Sequence, residues 1–245
     1  MIELPKTKTK PQFTMTKLSM LLYGAPKIGK STFCSRAEDA LFVATEPGLN
    51  HLEVASVQVN TWREFLETMA LLAKGGHGFK ILVIDTIDKL CDFCDAEICE
   101  NAKIQTLGDM GFGKGYTIYR NELKRVFQKV FALDMGVILT SHAQLIEVDT
   151  PTGRQTKWMP TFEKRAREIL MPMVDIIGFA QNVVSLNAKG ERVETRVMQT
   201  KTSSLWEAGD RTGRLPETMP FAYQAFDKAL TGRDKAPIKK ETPNV

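Results

Sequence analysis

The sequence predicts an α/β fold: a mainly parallel central sheet flanked by helices, with a C-terminal β-hairpin extension. Three observations predict it. Residues 24–31, Gly-Ala-Pro-Lys-Ile-Gly-Lys-Ser, complete the G-x-x-x-x-G-K-[ST] pattern directly after the apolar run 18–23. Ile81-Leu-Val-Ile84 is fully apolar and is closed by an acid, Asp85. Apolar runs of strand length alternate with stretches of helical period, as in a parallel sheet covered on both faces.

The elements follow in order. Residues 1–15 are rich in Lys, Thr and Pro and read as a flexible arm, leaving 16–231 as one domain and 232–245, rich in Lys and Pro, as a flexible tail. A strand over 18–23 feeds the glycine-rich loop, and a helix is expected over 31–40. A short buried strand at 41–45 ends at Glu46-Pro47-Gly48. Thr61 is placed to cap a helix to about Lys74, with Phe65, Met69 and Leu72 on one face. The strand 81–84 leads into a helix over 87–101. Gly111 to Gly115 breaks the chain, after which Tyr119, Leu123, Val126, Phe127 and Val130 mark an amphipathic helix. A buried strand at 136–140 runs to Ser141-His142. Residues 143–160 read as a polar hairpin turning at 151–154, then a charged helix over 163–170, a strand at 175–181 and a hairpin strand near 192–200.

Composition bounds the rest. The chain has 245 residues, 43% hydrophobic and 25% charged, enough for one sizeable core, and its net charge of +4 is compatible with a nucleic-acid partner. Cys91-x-x-Cys94 has no histidine close by and no second C-x-x-C, so the four cysteines read as buried thiols in a reducing compartment. No signal core and no apolar stretch of membrane-spanning length occurs, so a soluble, intracellular protein with no membrane partner is expected.

The chemistry concentrates at the expected carboxyl ends of strands, where such sheets hold ligands. Gly24, Ala25, Pro26, Lys27, Ile28 and Gly29 supply a loop whose backbone N–H groups wrap phosphates. Lys30 reaches the β- and γ-phosphates, Ser31 offers its hydroxyl to Mg²⁺, and Thr32 follows at the start of the helix. Asp85 is expected to hold the same Mg²⁺ through its water shell. Glu46 is the candidate general base for water attack on ATP. A nucleic-acid surface is expected from Arg154, Lys157 and Trp158 on the hairpin and Lys164 and Arg165 on the next helix, since cations with an aromatic grip single strands by phosphate contact and base stacking. Lys114, between Phe112 and Tyr116, is a second candidate loop. Arg211 and Arg214, in the run 208–216, are far along the chain from the phosphate loop and would act across a subunit boundary as an arginine finger.

Taken together, these motifs are G-x-P-K-x-G-K-S, an acid after a short second strand, an apolar strand with Asp-Thr, and a Gly-Lys-Gly-aromatic loop, then a strand ending Ser-His and a late Asp-Arg-Thr-Gly-x-Leu-Pro run. Over about residues 16–220 they resemble the phage RecA-like ATPases of the AAA-domain nucleotide-binding group, the Sak-four type of single-strand annealing proteins. The resemblance implies a RecA-like P-loop NTPase core, ATP and Mg²⁺ as cofactors, and binding of single-stranded DNA. It also implies annealing or recombination beside a single-strand DNA-binding protein, in a homo-oligomeric ring or filament in the host cytoplasm. In ATPases of the RecA and AAA+ type an extra strand separates the phosphate-loop strand from the acid-ended strand, and a polar residue at its tip faces the γ-phosphate. His142 takes that position. Relatives often carry a lysine where this chain has Gly209. A helicase or loader motor and a small-molecule kinase are the competing readings.

Overall fold

The computed structural model describes residues 4, 6–150, 153–186 and 190–232; beyond Gly232 the expected tail lies outside the described residues, as do residues 1–3 and 5 of the arm. Ten strands form one sheet system: β1 (Ser19–Gly24), β2 (Ala40–Ala44), β3 (Ala55–Gln58), β4 (Ile81–Asp85), β5 (Gly136–Thr150), β6 (Gly153–Pro160), β7 (Ile176–Leu186), β8 (Arg192–Gln199), β9 (Gly209–Asp210) and β10 (Thr218–Pro220). The main order is β10-β8-β7-β1-β5-β4-β2-β3; off this path β6 pairs with β5, and its Trp158 bridges to Trp206. From β7 to β3 the pairing is parallel; β8 turns back antiparallel on β7 and is the expected C-terminal hairpin. The strand β5 separates β1 from β4, so the fold has the strand order expected of RecA- and AAA+-type ATPases.

The central strands bury both faces because their side chains alternate between two cores. Leu21, Leu82, Ile84, Val137 and Leu139 face one core, where α2 (Trp62–Ala73), α3 (Ile87–Ala102), α4 (Lys114–Val130) and α5 (Lys164–Leu170) pack. Met20, Leu22, Ile81, Val83 and Ile138 face the other, covered by α1 (Lys30–Cys34) and α6 (Tyr223–Thr231). Thr61 caps α2 as the sequence suggests, its Oγ1 accepting the Glu64 N–H at 3.1 Å. At the end of the expected arm Met15 is buried, and Phe13 lies beneath the Arg214 guanidinium, 4.4 Å from ring centre to Cζ.

Several elements differ from the sequence reading. The helix α1 stops at Cys34 rather than near Ala40; the Ser35 hydroxyl takes the Thr32 carbonyl at 2.9 Å, the side-chain competition that ends short helices. The helix α4 starts inside the glycine run instead of after it. A Cβ on Gly115 would lie 2.2 Å from the Leu107 carbonyl oxygen, so this glycine serves a close approach of helix to turn rather than a break. The edge strand β3 was unexpected because all four residues are exposed and carry no burial pattern. The short strands β9 and β10 and the helix α6 were also unexpected, although Tyr223, Phe226 and Leu230 recur at helical spacing.

Candidate functional site

The carboxyl ends of β1, β2, β4 and β5 meet at one place. Parallel register sets Gly24 beside His142 and Ala44 beside Asp85, so the phosphate loop, Glu46, Asp85 and His142 share one end of the sheet. The loop conformation requires its glycines. Gly29 has φ +105°, and a Cβ on Gly24 would stand 2.5 Å from the Ala180 carbonyl oxygen. Ala25, Pro26 and Lys27 form the exposed outer arc, Ile28 anchors it in the core, and Thr32 is exposed on α1.

Lys30 is buried. Its Nζ donates to the carbonyls of Gly24 at 3.0 Å and Ala25 at 3.1 Å and lies 3.4 Å from His142 Nδ1. Burial pushes its pKa below the ordinary lysine value, while Asp85 and Asp88 pull it back up. The ammonium thus spans the mouth of the loop, where phosphate oxygens can replace two carbonyls as acceptors.

Ser31 Oγ donates to Asp85 Oδ2 at 2.6 Å, and Thr140 Oγ1 donates to Asp85 Oδ1 at 2.5 Å. This hydroxyl–carboxylate pair is an all-oxygen donor set, which suits Mg²⁺. Among the described residues no group of three or more His, Cys, Asp or Glu could hold a metal by itself. The pair therefore fits an ion that draws its remaining ligands from phosphate and water. Glu46 stands across from it: the Thr86 hydroxyl donates to Glu46 Oε1 at 3.2 Å, and Glu46 Oε2 is 4.0 Å from His142 Nε2. Thr45 and Thr86 exchange hydrogen bonds between β2 and the start of α3, fixing both acids on one frame.

The AAA domain family matches residues 16–212 of this chain. The chain belongs to that family. It is also 24% identical over 196 residues to the SPbeta prophage-derived uncharacterized protein YorG of Bacillus subtilis (strain 168), covering 76% of this chain and 55% of that protein, so it spans about half the relative's length. Among solved structures it is similar to the flagellar accessory protein FlaH of Methanocaldococcus jannaschii, with 12% identity, a TM-score of 0.44, and coverage of 75% of this chain and 77% of that one. Membership of a P-loop AAA family implies that the chain is a nucleotide-binding NTPase.

The remaining expected residues of this AAA domain are spread around it. The hairpin β5–β6 leaves the sheet just beyond His142. On it, Arg154 is exposed and paired with Asp149 at 3.3 Å and Glu147 at 3.7 Å. Lys157 is turned inward, 2.6 Å from Glu207, and Trp158 packs near Phe179 with ring centres 6.0 Å apart. Arg165 lies over the Tyr116 ring at 3.9 Å and pairs with Glu163 at 2.8 Å, and Lys114 and Lys164 are exposed nearby at the starts of α4 and α5. Arg211 is not brought to the phosphate loop of its own chain. Its N–H bonds the Asp175 carbonyl at the amino end of β7, about 16 Å of strand from Gly24 at 3.3 Å per residue. Among the described residues no helix is long and apolar enough to cross a membrane.

Three site residues were missed in the sequence. Thr140 is the second partner of Asp85. Asp88 accepts from Ser141 Oγ at 2.9 Å, from the His142 N–H at 3.3 Å and from Thr161 Oγ1, which joins the tip of β5 to the base of the hairpin. Its position three residues past Asp85, in the first turn of α3, was the available signal. Burial holds its carboxyl above the usual range, against the bonds from Thr161 and Ser141. Arg196, which reaches the phosphate loop from β8, gives no sequence signal at all.

Proposed function

We propose that this AAA domain is an ATP-dependent single-stranded DNA-binding protein of phage origin that promotes annealing or recombination. One observation carries the reading. The strand β5 brings Thr140 and His142 to Lys30 and Asp85 and runs on without interruption into the β5–β6 hairpin. Whatever moves the tip of β5 moves the hairpin.

Each residue has a role. Lys30 and the loop amides hold the phosphates, and Ser31 and Asp85 hold Mg²⁺, which when bound would polarise the terminal phosphate oxygens. Glu46 accepts the proton of the attacking water. His142, poised between Lys30 and Glu46, registers loss of the terminal phosphate. Arg211 acts on a neighbour's site in a homo-oligomer, consistent with its place at the opposite end of the sheet. DNA runs along the rim made by Lys114, Lys164 and Arg165 with Arg154 farther out. Phe112 supports this path: it is fully exposed, and the chain holds it at φ +48°, a conformation disfavoured for a side chain of its size. Lys157 and Trp158 brace the hairpin base instead of meeting bases. The prophage setting of the YorG relative fits this role, and a single-strand DNA-binding protein is the natural partner.

The test is ATP hydrolysis measured with and without single-stranded DNA, with assembly state followed in parallel. Stimulation by DNA, and DNA affinity that falls steeply with salt, is expected. An ATPase that bound no DNA at low salt with ATP and Mg²⁺ would end this reading.

A further inference from the structure

The strand β8 places a second cation on the phosphate loop. Arg196 Nη1 donates to the Ile28 carbonyl at 3.1 Å, and the same atom is the nearest neighbour, at 3.1 Å, of a Cβ built on Gly29. The guanidinium therefore lies against the glycine face of the loop, on the β8 side. Among the described residues no carboxylate lies within ion-pair distance of it. Arg154 and Arg165 are both paired; among the described residues Arg196, which touches the phosphate loop, has no such ion pair.

Its mount is rigid. Arg196 sits in the antiparallel ladder opposite Asn182, and its own carbonyl accepts the Phe221 N–H at 3.0 Å. Phe221 in turn stacks on Phe33 of α1, ring centres 5.0 Å apart and planes within 2°. Arg196 of β8 and Phe221, just after β10, thereby flank the carboxyl-terminal part of the phosphate loop, at Ile28 before Gly29 and at Phe33 after it. A guanidinium has five N–H donors in a fixed fork, and one carbonyl uses only one of them.

We infer that Arg196 is a nucleotide-binding residue that meets the phosphates of a nucleoside di- or triphosphate from the β8 side, within the same chain that supplies Lys30. The inference rests on the nucleotide-binding reading of the phosphate loop and adds a residue to it. The Arg196 residue is exposed, and with no carboxylate partner among the described residues its remaining donors can turn onto an anion that arrives beside it, a charge-assisted contact. The C-terminal hairpin then has a function of its own, since it carries a cation to a loop that lies 168 residues away in sequence.

The experiment measures ATP and ADP affinity by calorimetry for wild type, Arg196→Ala and Arg196→Lys, with nucleotide-free melting points beside them. Arg196→Ala is expected to weaken both nucleotides by about 10- to 100-fold, the usual worth of a charge-assisted phosphate contact, with Arg196→Lys between it and wild type. The nucleotide-free melting point should fall only slightly, by about 1–6 °C, because the side chain gives up one bond to the Ile28 carbonyl while the β8 backbone pairing stays. Wild-type affinity in Arg196→Ala would overturn the proposal. So would a loss of affinity matched by a fall in nucleotide-free melting point larger than that, which Arg196→Lys does not relieve, since that describes a purely structural side chain. Failure of the wild type to bind either nucleotide would instead overturn the phosphate-loop reading itself.

Discussion

Asp88→Ala removes the clamp at the tip of β5, and the structure sets what the change should cost. The carboxylate serves three donors: Ser141 Oγ at 2.9 Å and Thr161 Oγ1 on one oxygen, and the His142 N–H at 3.3 Å on the other. They do not lose equally. Ser141 Oγ keeps the His142 carbonyl at 3.0 Å as an acceptor, and Thr161 is half-buried and within reach of water. The His142 N–H loses a charged partner, worth about 1–3 kcal/mol, and relief from burying the carboxylate returns part of the total. A net loss of about 2 kcal/mol, or about 4–8 °C in melting temperature for a domain of this size, is expected. Asp88→Asn should cost under about 1 kcal/mol, because its carbonyl can face the His142 N–H while its amide donates to the two hydroxyls. The pH dependence has a definite sign. A carboxyl held above its ordinary value keeps its proton in the native chain where the unfolded chain has released it. Its stabilising contribution is complete below the unfolded value and is lost as pH rises through the native one. The Lys30 ammonium and the His142 ring, which face Asp88, oppose but do not reverse this shift. Melting curves should thus move in favour of Asp88→Asn over wild type as pH rises above the ordinary carboxylate range. An Asp88→Ala protein that melted with the wild type, or an Asn variant less stable than the Ala one, would refute the reasoning.

Other tests follow from the site. Glu46→Gln should bind ATP normally yet hydrolyse it about 100-fold or more slowly, the usual loss of a general base; wild-type turnover would remove Glu46 from that role. Phe112→Ala should weaken single-stranded DNA binding about 5- to 100-fold without changing the melting temperature, as measured by fluorescence anisotropy, since the ring is fully exposed and a stacked base is worth about 1–3 kcal/mol. All four thiols are buried and burial pushes each upward, Cys99 to about 11. A thiol reagent at pH 8 should accordingly label the native chain slowly and label four cysteines once it is denatured.

Sequence alone determined the parts of this protein that depend on neighbours in the chain. The phosphate loop, the apolar strand ending in Asp85, the tip at His142 and the Thr61 cap are local patterns. Backbone geometry and burial period dictate each within a few residues, and each was legible. The helix α6 was missed, although Tyr223, Phe226 and Leu230 recur at helical spacing. The tertiary structure alone decided the rest. Sheet order, with β5 inserted between β1 and β4, set Thr140 against Asp85 and let Asp88 hold both the strand tip and the hairpin base. The return of β8 onto β7 set Arg196 on Ile28, and the pairing of β9 with the start of β7 carried Arg211 to the far end of the sheet. Such contacts join residues tens to more than a hundred positions apart, and no local propensity encodes them. They follow from which strands share an edge, a choice made by the burial of two whole cores.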